Sequence, residues 1–582
     1  MRAPFGLGKE GVTAGLRRAG RLPRRAGAAQ QSFQSSLAPS ARYNAVGPPS
    51  PAPSAMRIAA IDIGSNSIHL VIVEVASSGG FHVIEKEREM VRLGAVTLSR
   101  GHLPAAAMKR GFEVLTKYKR LAVTHKVDKI LAVATSAVRE AGNGEDFLRR
   151  LGRATGIWPR VVSGEGEARL IHLAALHSIH LEGKRALVVD VGGGSVELAV
   201  GAGSRPDWAV SEKLGILRMA ERFGTGGTLL RKDEGRLERF VKRSLEPHLA
   251  EVRRAGFETA IGTSGTILTL GRMAHHLETG AVPDILHHLT VRRSALREVR
   301  KRVVQASLRE RLRMPGMDEP RADILPVGAV ILDTMLGLLE VEELVLCEWA
   351  LREGILLDYI HHHPGTLARA EAYPDVRLRS VMALAERCLY DEAHARHTAS
   401  LALSLFDQTR ERHALGGGPR ALLEYAALLH DIGHHISYPG HHKHTYYLIK
   451  NGDLRGFTPE EIEVLANVAR YHRRGHPRKK HAPFRALARE GQRTVRVLAG
   501  LLRIADALDR SHRQAVRALK VSERSRVLRI RGEARGDCEL ELWGVQRRTQ
   551  LLEEELGVQV RIEVVASRVM ASPRRALRRV RA

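Results

Sequence analysis

The sequence predicts an α/β protein: two related lobes with mixed sheets, then an all-helical region, then a small α+β ending. Three observations carry this. An apolar strand, an aspartate, a small-residue turn and a returning strand occur once near residue 62 and again near 190, the second aspartate standing 128 positions after the first. From 56 to about 360, strand-like runs alternate with helix-like ones, the pattern of sheets covered by helices. After His361-His-His-Pro-Gly365 the texture turns to helix after helix.

Taken in order, residues 1–55 hold eight Lys/Arg against one acid, Glu10, and finish in the turn-rich run 47–54. With no apolar core to this segment, a secretory signal is not expected. It reads as a disordered basic tail, with Met56 as an alternative initiator. A first lobe, 56–170, is expected to carry strands at 57–63, 68–75, 129–134 and 160–163 and helices at 104–122 and 143–155. The alternation of Ile68, Leu70 and Ile72 marks the second strand as one side of a hairpin. A second lobe, 171–362, repeats the scheme with strands at 186–190, 195–200 and 258–261, and helices near 166–180, 234–254 and 320–338. The region 363–515 reads as helices at 376–390, 392–408, 421–430, 442–451, 459–470 and 494–511. The last part, 516–582, returns to strands at 517–522, 527–532, 537–543 and 558–565 around a helix at 545–556, and closes in a basic tail.

The chemistry concentrates in the two turns. In Asp190-Val-Gly192-Gly193-Gly194-Ser195-Val-Glu197, glycines without a Cβ let backbone N–H groups close around phosphate oxygens. A carboxylate beside such a loop is placed to hold Mg²⁺ or a water. A Gly-Gly-Gly run alone also occurs in plain turns. Its partner, Asp62-Ile-Gly-Ser65-Asn66-Ser67, offers hydroxyl and amide donors in the same grammar, and Gly262-Thr-Ser-Gly265-Thr266 adds a third small-residue turn. Paired strand–Asp–turn units describe two lobes facing a nucleotide or phosphate chain.

Composition narrows the partners. The 582-residue chain exceeds a single core, and 92 Lys+Arg against 64 Asp+Glu give a net charge of +28. Such a balance favours polyanions. Aromatic residues, at 4%, are too few for a stacking platform on single strands, so no specific nucleic acid is expected. Cys347, Cys388 and Cys538 are scattered, pair with no metal-ligand spacing, and suit a reducing cytoplasm. There is no run of 18 apolar residues, so no transmembrane helix is expected.

Seven motifs occur in order: Asp62-Ile-Gly-Ser-Asn-Ser67, Ala134-Thr-Ser-Ala-Val-Arg-Glu-Ala141, Ser163-Gly-Glu-Gly-Glu-Ala168, Asp190-Val-Gly-Gly-Gly-Ser195, Gly262-Thr-Ser-Gly-Thr266, Arg321-Ala-Asp-Ile-Leu-Pro326 and Ala350-Leu-Arg-Glu-Gly354. Together they resemble the exopolyphosphatase/guanosine pentaphosphate phosphohydrolase (Ppx/GppA) family, in its long form with a C-terminal HD-like domain. The resemblance implies two actin-like lobes, of the ribonuclease H-like type, and a bacterial, cytoplasmic, homodimeric enzyme. It would use Mg²⁺ to hydrolyse the terminal phosphoanhydride of inorganic polyphosphate or the 5′-phosphate of guanosine pentaphosphate. It further implies that Glu167 activates the water, that Asp190 and Glu197 manage metal and water, and that Ser65, Asn66, Ser67, Arg139, Gly192, Gly193, Gly194 and Ser195 bind phosphate. A guanidinium suits the Arg139 role because it pairs two oxygens at once. Without the resemblance, Glu165 and Glu167 read as the acidic first turn of a helix. Gly166 stands where the family usually carries glutamate.

In the helical region, His397, His430, Asp431 and Asp506 fit the H…HD…D order of metal-dependent HD phosphohydrolases. Imidazole and carboxylate ligands of this kind hold a divalent transition metal. His434, His435, His441, His442, His444 and His472 lie near enough in sequence to supply a second. Three other accounts compete with the leading one. The chain could act through that second site as an HD-type phosphohydrolase, serve as a polyphosphate or nucleotide sensor without turnover, or be a sugar kinase. The last is disfavoured, since nothing between the lobes matches a sugar-binding segment.

Overall fold

The computed structural model describes residues 56–75, 81–224, 229–362 and 375–566. The tail expected over 1–55 and the basic tail after 566 lie outside the described residues.

The first sheet contains β1 (Arg57–Ile63), β2 (Ile68–Val75), β3 (Phe81–Glu89), β4 (Lys129–Ala134) and β5 (Arg160–Val161), in the order β3-β2-β1-β4-β5. β1 is central, and Ile58, Ala59, Ala60 and Ile61 are wholly buried. A strand covered on both faces is continuously apolar in this way. β2 returns antiparallel and β4 runs parallel to β1, reached through helix Ala105–Thr124. β3 has no counterpart among the expected strands. Its sequence, Phe-His-Val-Ile-Glu-Lys-Glu-Arg-Glu, is charged where a core strand is aliphatic, as suits an edge that must not attract another chain.

The second sheet holds β6 (Ala186–Val191), β7 (Val196–Gly201), β8 (Trp208–Glu212), β9 (Thr259–Thr263), β10 (Thr290–Arg292) and β11 (Glu343–Leu346), in the order β10-β11-β9-β6-β7-β8. β6 and β7 are buried at every residue. Helix Leu325–Leu338, apolar almost all round, is buried over most of its length, the state such a sequence requires. The short strands β8 and β10 at the two edges, β11 inside β10, and helices Ser264–Thr279 and Arg293–Gln305 add to the expected set.

Two helices knit the sheets together. Gly164–Ser178 and Leu351–His362 share one apolar cluster with Ile58, Val71 and Val73 of the first sheet and Val188 and Ile261 of the second. They cross so closely that a Cβ on Gly354 would collide with the Leu170 carbonyl oxygen. The first of these helices spans residue 170 and delivers Glu167 to the space between the sheets.

From 376 the chain folds as helices Val376–Arg387, Glu392–Gln408, Gly417–Leu429, His441–Lys450, Pro459–Arg470 and Arg489–Ala507. Pro459–Arg470 starts where its sequence dictates: Thr458 and Glu461 form a reciprocal capping box, and proline takes the first position. The third sheet, β12 (Val516–Arg524), β13 (Val527–Ala534) and β14 (Gln559–Ala566), packs on the same apolar core, which runs from Val381 to Val558. One expectation fails here. Residues 537–543 are not a strand; Glu539–Val545 is a helix. The alternation Glu539-Leu-Glu-Leu imitates a strand, but β13 and β14 are parallel, and a parallel pair needs a crossover. Helices Glu539–Val545 and Gln550–Leu556 provide it, burying Glu541 as an acceptor for the Ser511 N–H at 3.0 Å. No helix among the described residues is long and apolar enough to cross a membrane.

Candidate active site

The two hairpin turns are built alike. Gly64 N–H donates to the Ser67 carbonyl at 3.1 Å, and Gly192 N–H to the Ser195 carbonyl at 3.0 Å. The strand register then sets Asp62 opposite His69, and Asp190 opposite Glu197. The turns meet across a cavity of about 310 Å³ lined by Ser65, Asn66, Ser67, Gly192, Gly193, Gly194 and Ser195, with Asp62, Glu167 and Asp190 among its other walls. Contact is tight: a Cβ on Gly194 would strike the Ser136 and Ser65 hydroxyls. The carbonyls of Gly192, Gly193 and Gly194 accept from Ile216 N–H, Leu217 N–H and Arg218 Nε at 2.9 to 3.0 Å. In a trans peptide the N–H points opposite its carbonyl, so the following amides turn away from that helix.

The third turn reaches the cavity at the start of helix Ser264–Thr279, where Ser264, Gly265 and Thr266 line the wall. A helix N-terminus presents N–H groups and a positive dipole end to anions. Ser264 holds φ at +86°, a conformation a serine adopts only under constraint from its surroundings. Arg88, Arg321 and Arg352 also face the cavity, as does Lys86.

Carboxylates dominate the electrostatics. Glu167, Asp190 and Glu197 are buried. Burial pushes Asp62 up to about 7; the Arg352 guanidinium opposes this, and Glu353 and Glu197 add to it. Glu167 is held well above the usual range by burial and then by Glu197, with Arg139 pulling the other way. Asp190 is raised by burial, Glu197 and Asp62. Glu197 is raised by burial despite hydrogen bonds from Ser195 and Ser211, the latter at 2.7 Å. Asp62 Oδ1 is buried with no hydrogen-bond partner, an arrangement that a bound cation would satisfy.

The expected phosphate ligands fall into two sets. Asn66 and the glycine loop line the cavity, and Asn66 Oδ1 is buried without a partner. The Ser65 hydroxyl is engaged by Ser136 Oγ at 2.7 Å and Ala137 N–H at 3.1 Å, and Ser67 Oγ by His69 Nε2 at 2.7 Å. Arg139 is turned toward Glu167. Its Nη1 donates to the Val162 carbonyl at 2.7 Å and to Glu167 Oε2 at 3.2 Å. Asp62, Ser136, Arg321 and Arg352 stand in motifs the sequence displays without showing their task. Lys86 and Arg88 had no signal, lying on the charged edge strand β3.

The residues expected at the second site come together as a cluster, with one member exchanged. His397 Nε2–H donates to the Val516 carbonyl at 2.8 Å and stands apart. His394, one helical turn earlier, takes its place. His394, His430 and Asp431 form one group of potential metal ligands, and Asp431, His441 and His472 another. Asp506 Oδ1 lies 3.7 Å from both His394 Nε2 and His430 Nε2. The preference for His397 fails because positions three apart share a helix face, and only the partner, β12, decides which one is taken.

Comparison with known proteins agrees with this division. The family model described as the Ppx/GppA phosphatase family matches residues 70–363, and the one described as Ppx/GppA phosphatase, domain III, matches 376–557. An exopolyphosphatase from Cytophaga hutchinsonii is 28% identical, with 53% of this chain and 98% of that one covered and a TM-score of 0.50. The Aquifex aeolicus member of the Ppx/GppA family is 29% identical over 53% of this chain and 98% of that one, with a TM-score of 0.46.

Proposed function

The chain belongs to the Ppx/GppA phosphatase family, and on that premise we propose that it is an exopolyphosphatase, releasing terminal orthophosphate from inorganic polyphosphate with Glu167 as the base. The observation that carries this is the convergence of Asp62, Glu167, Asp190 and Glu197, near enough to raise one another, beside two facing hairpin turns. Three buried carboxylates and the half-buried Asp62 suit a hard divalent cation such as Mg²⁺, and the orphaned Asp62 Oδ1 fits it. Asp190 and Glu197, cross-strand neighbours, would hold the ion with Asp62. Bound there, Mg²⁺ would neutralise charge developing on the transferring phosphoryl group.

The chain's own groups do the rest. Backbone amides of the glycine loop and the Ser264–Thr266 helix start hold the terminal phosphate oxygens. Arg321 and Arg352 face the incoming chain of phosphates. Glu167, raised by its surroundings, is basic enough once ionised to take a proton from the attacking water at Oε1 or Oε2. Arg139 keeps its carboxylate aimed and partly offsets the burial that would otherwise leave it protonated. The water's oxygen joins phosphorus, the bridging oxygen leaves with the shortened chain, and Glu167 holds the proton.

The region from 376 we read as HD-like, because His394, His430, Asp431 and Asp506 converge in the H…HD…D order. Orthophosphate release from long-chain polyphosphate, measured against release from guanosine pentaphosphate with Mg²⁺ and with a chelator, tests the proposal. Faster release from polyphosphate, lost on chelation, is expected. Preference for the pentaphosphate would move the substrate to the nucleotide, and silence on both would reject hydrolysis.

A further inference from the structure

Outside the cleft, six side chains of the helical region come together: His394, His430, Asp431, His441, His472 and Asp506. All but Asp431 are buried. The decisive detail is where their ring hydrogens lie. Nδ1 of His430, His441 and His472 stands 2.7, 3.2 and 2.6 Å from the carbonyl oxygens of Ala427, Tyr438 and Ala469. A carbonyl only accepts, so each Nδ1 carries the hydrogen. His394 Nδ1 lies 2.9 Å from Asp509 Oδ2, and Asp509 Oδ1 accepts from Gln514 N–H at 2.7 Å. With Nδ1 committed, a neutral imidazole has a bare lone pair at Nε2.

Those four lone pairs face one another in twos. His394 and His430 Nε2 are 3.2 Å apart, and His441 and His472 Nε2 are 3.3 Å apart. Facing lone pairs repel unless a cation lies among them. Asp431 stands between the pairs and offers one oxygen to each. Its Oδ2 is 3.7 Å from His430 Nε2, and its Oδ1 is 3.2 Å from His441 Nε2 and 3.4 Å from His472 Nε2. Asp506 Oδ1 completes the first group at 3.7 Å from both of its imidazoles. Ligand atoms about 2.0–2.2 Å from an ion stand roughly 3–3.6 Å from one another, close to the 3.2–3.7 Å found here. The Asp509 carboxylate and the three carbonyls are the outer partners that fix ligating histidines.

We propose that this cluster binds two divalent transition-metal ions bridged by Asp431, one held with His394, His430 and Asp506 and the other with His441 and His472. Imidazole-rich sets of this kind favour iron, cobalt, nickel or zinc over magnesium. The Asp431 and Asp506 side chains remain 22% and 11% exposed, so one side of the pair is open to an exogenous ligand.

The test strips the full-length chain with a chelator, reloads it with Co²⁺, removes free ion, and counts metal by mass spectrometry alongside the visible cobalt absorption. The quantity read is the difference between the chain and each variant, so metal on the cleft carboxylates cancels. Asp431→Ala should lose two equivalents and His472→Ala one, while His397→Ala and Glu167→Gln lose none, all with native melting. If Asp431→Ala melts early, the milder His441→Gln and His394→Gln should each lose one. Equal metal in the chain and every cluster variant, or loss in His397→Ala matching that in His394→Gln, would overturn the assignment and leave protons holding the rings together. A single equivalent, lost in Asp431→Ala but kept in His472→Ala, would overturn the bridged pair.

Discussion

The cleft and the histidine cluster bury the same residue type to opposite effect. Asp190 and Asp506 each sit near the end of a regular element, largely out of water. Burial raises Asp190 well above the carboxylate range, and Glu197 and Asp62 push it further. Burial also works to raise Asp506, but the surrounding imidazoles, His394 and His430 first, hold it well below that range. A carboxylate's neighbours, more than its burial, decide whether it resists or accepts negative charge. The cleft carboxylates therefore resist negative charge as they stand, and the proposed hard cation would relieve that resistance. The cluster is a mixed imidazole–carboxylate set, the chemistry of softer metals.

Changes to either site sharpen this contrast, beginning with the largest effect. Glu167→Gln keeps the shape of the side chain and removes the base, so kcat should fall about 10²–10⁴-fold with KM little changed; steady-state phosphate release measures it. Arg139→Gln removes the cation that lowers Glu167. The acid limb of kcat/KM should then move to higher pH, with roughly a tenfold loss near neutrality. A pH profile that keeps its shape would show that Arg139 does not act through Glu167.

Smaller effects fall on stability. Asp62 sits at about 7 in the folded chain against about 3.9 unfolded. Because the folded value is the higher, its contribution is fully present below pH 4 and is lost as pH rises through 7. In metal-free protein, Asp62→Asn should therefore melt higher than the intact chain at pH 8 and no higher at pH 4. The gap is at most about 4 kcal/mol, less what cleft water screens. Gly354→Ala drives a methyl into the Leu170 carbonyl where the two knitting helices cross. A loss of about 1–3 kcal/mol is expected by denaturant unfolding. It should lower phosphate release by loosening Glu167 and leave the metal count of the cluster unchanged.

Much of this was legible in the sequence, and what was not has physical reasons. β1, β2, β6 and β7 announce themselves because each is apolar and each pair is joined by a turn of small residues. Helix Pro459–Arg470 is fixed by its own cap. β3 is hidden by the charges that protect its edge, and helix Glu539–Val545 by an alternation that follows strand grammar. At the site, the paired turns and Glu167 are local features and are visible. The role of Arg139 depends on where helix Gly164–Ser178 brings Glu167, which the sequence does not state. The choice of His394 over His397 depends on β12, more than a hundred residues away.

The most direct test of the division between the sites measures orthophosphate release from long-chain polyphosphate, with Mg²⁺, by the intact chain, Glu167→Gln and Asp431→Ala side by side. If the cleft performs the hydrolysis, Glu167→Gln is nearly silent and Asp431→Ala keeps most of the activity. A silent Asp431→Ala beside an active Glu167→Gln would place the reaction at the histidine cluster and contradict the account.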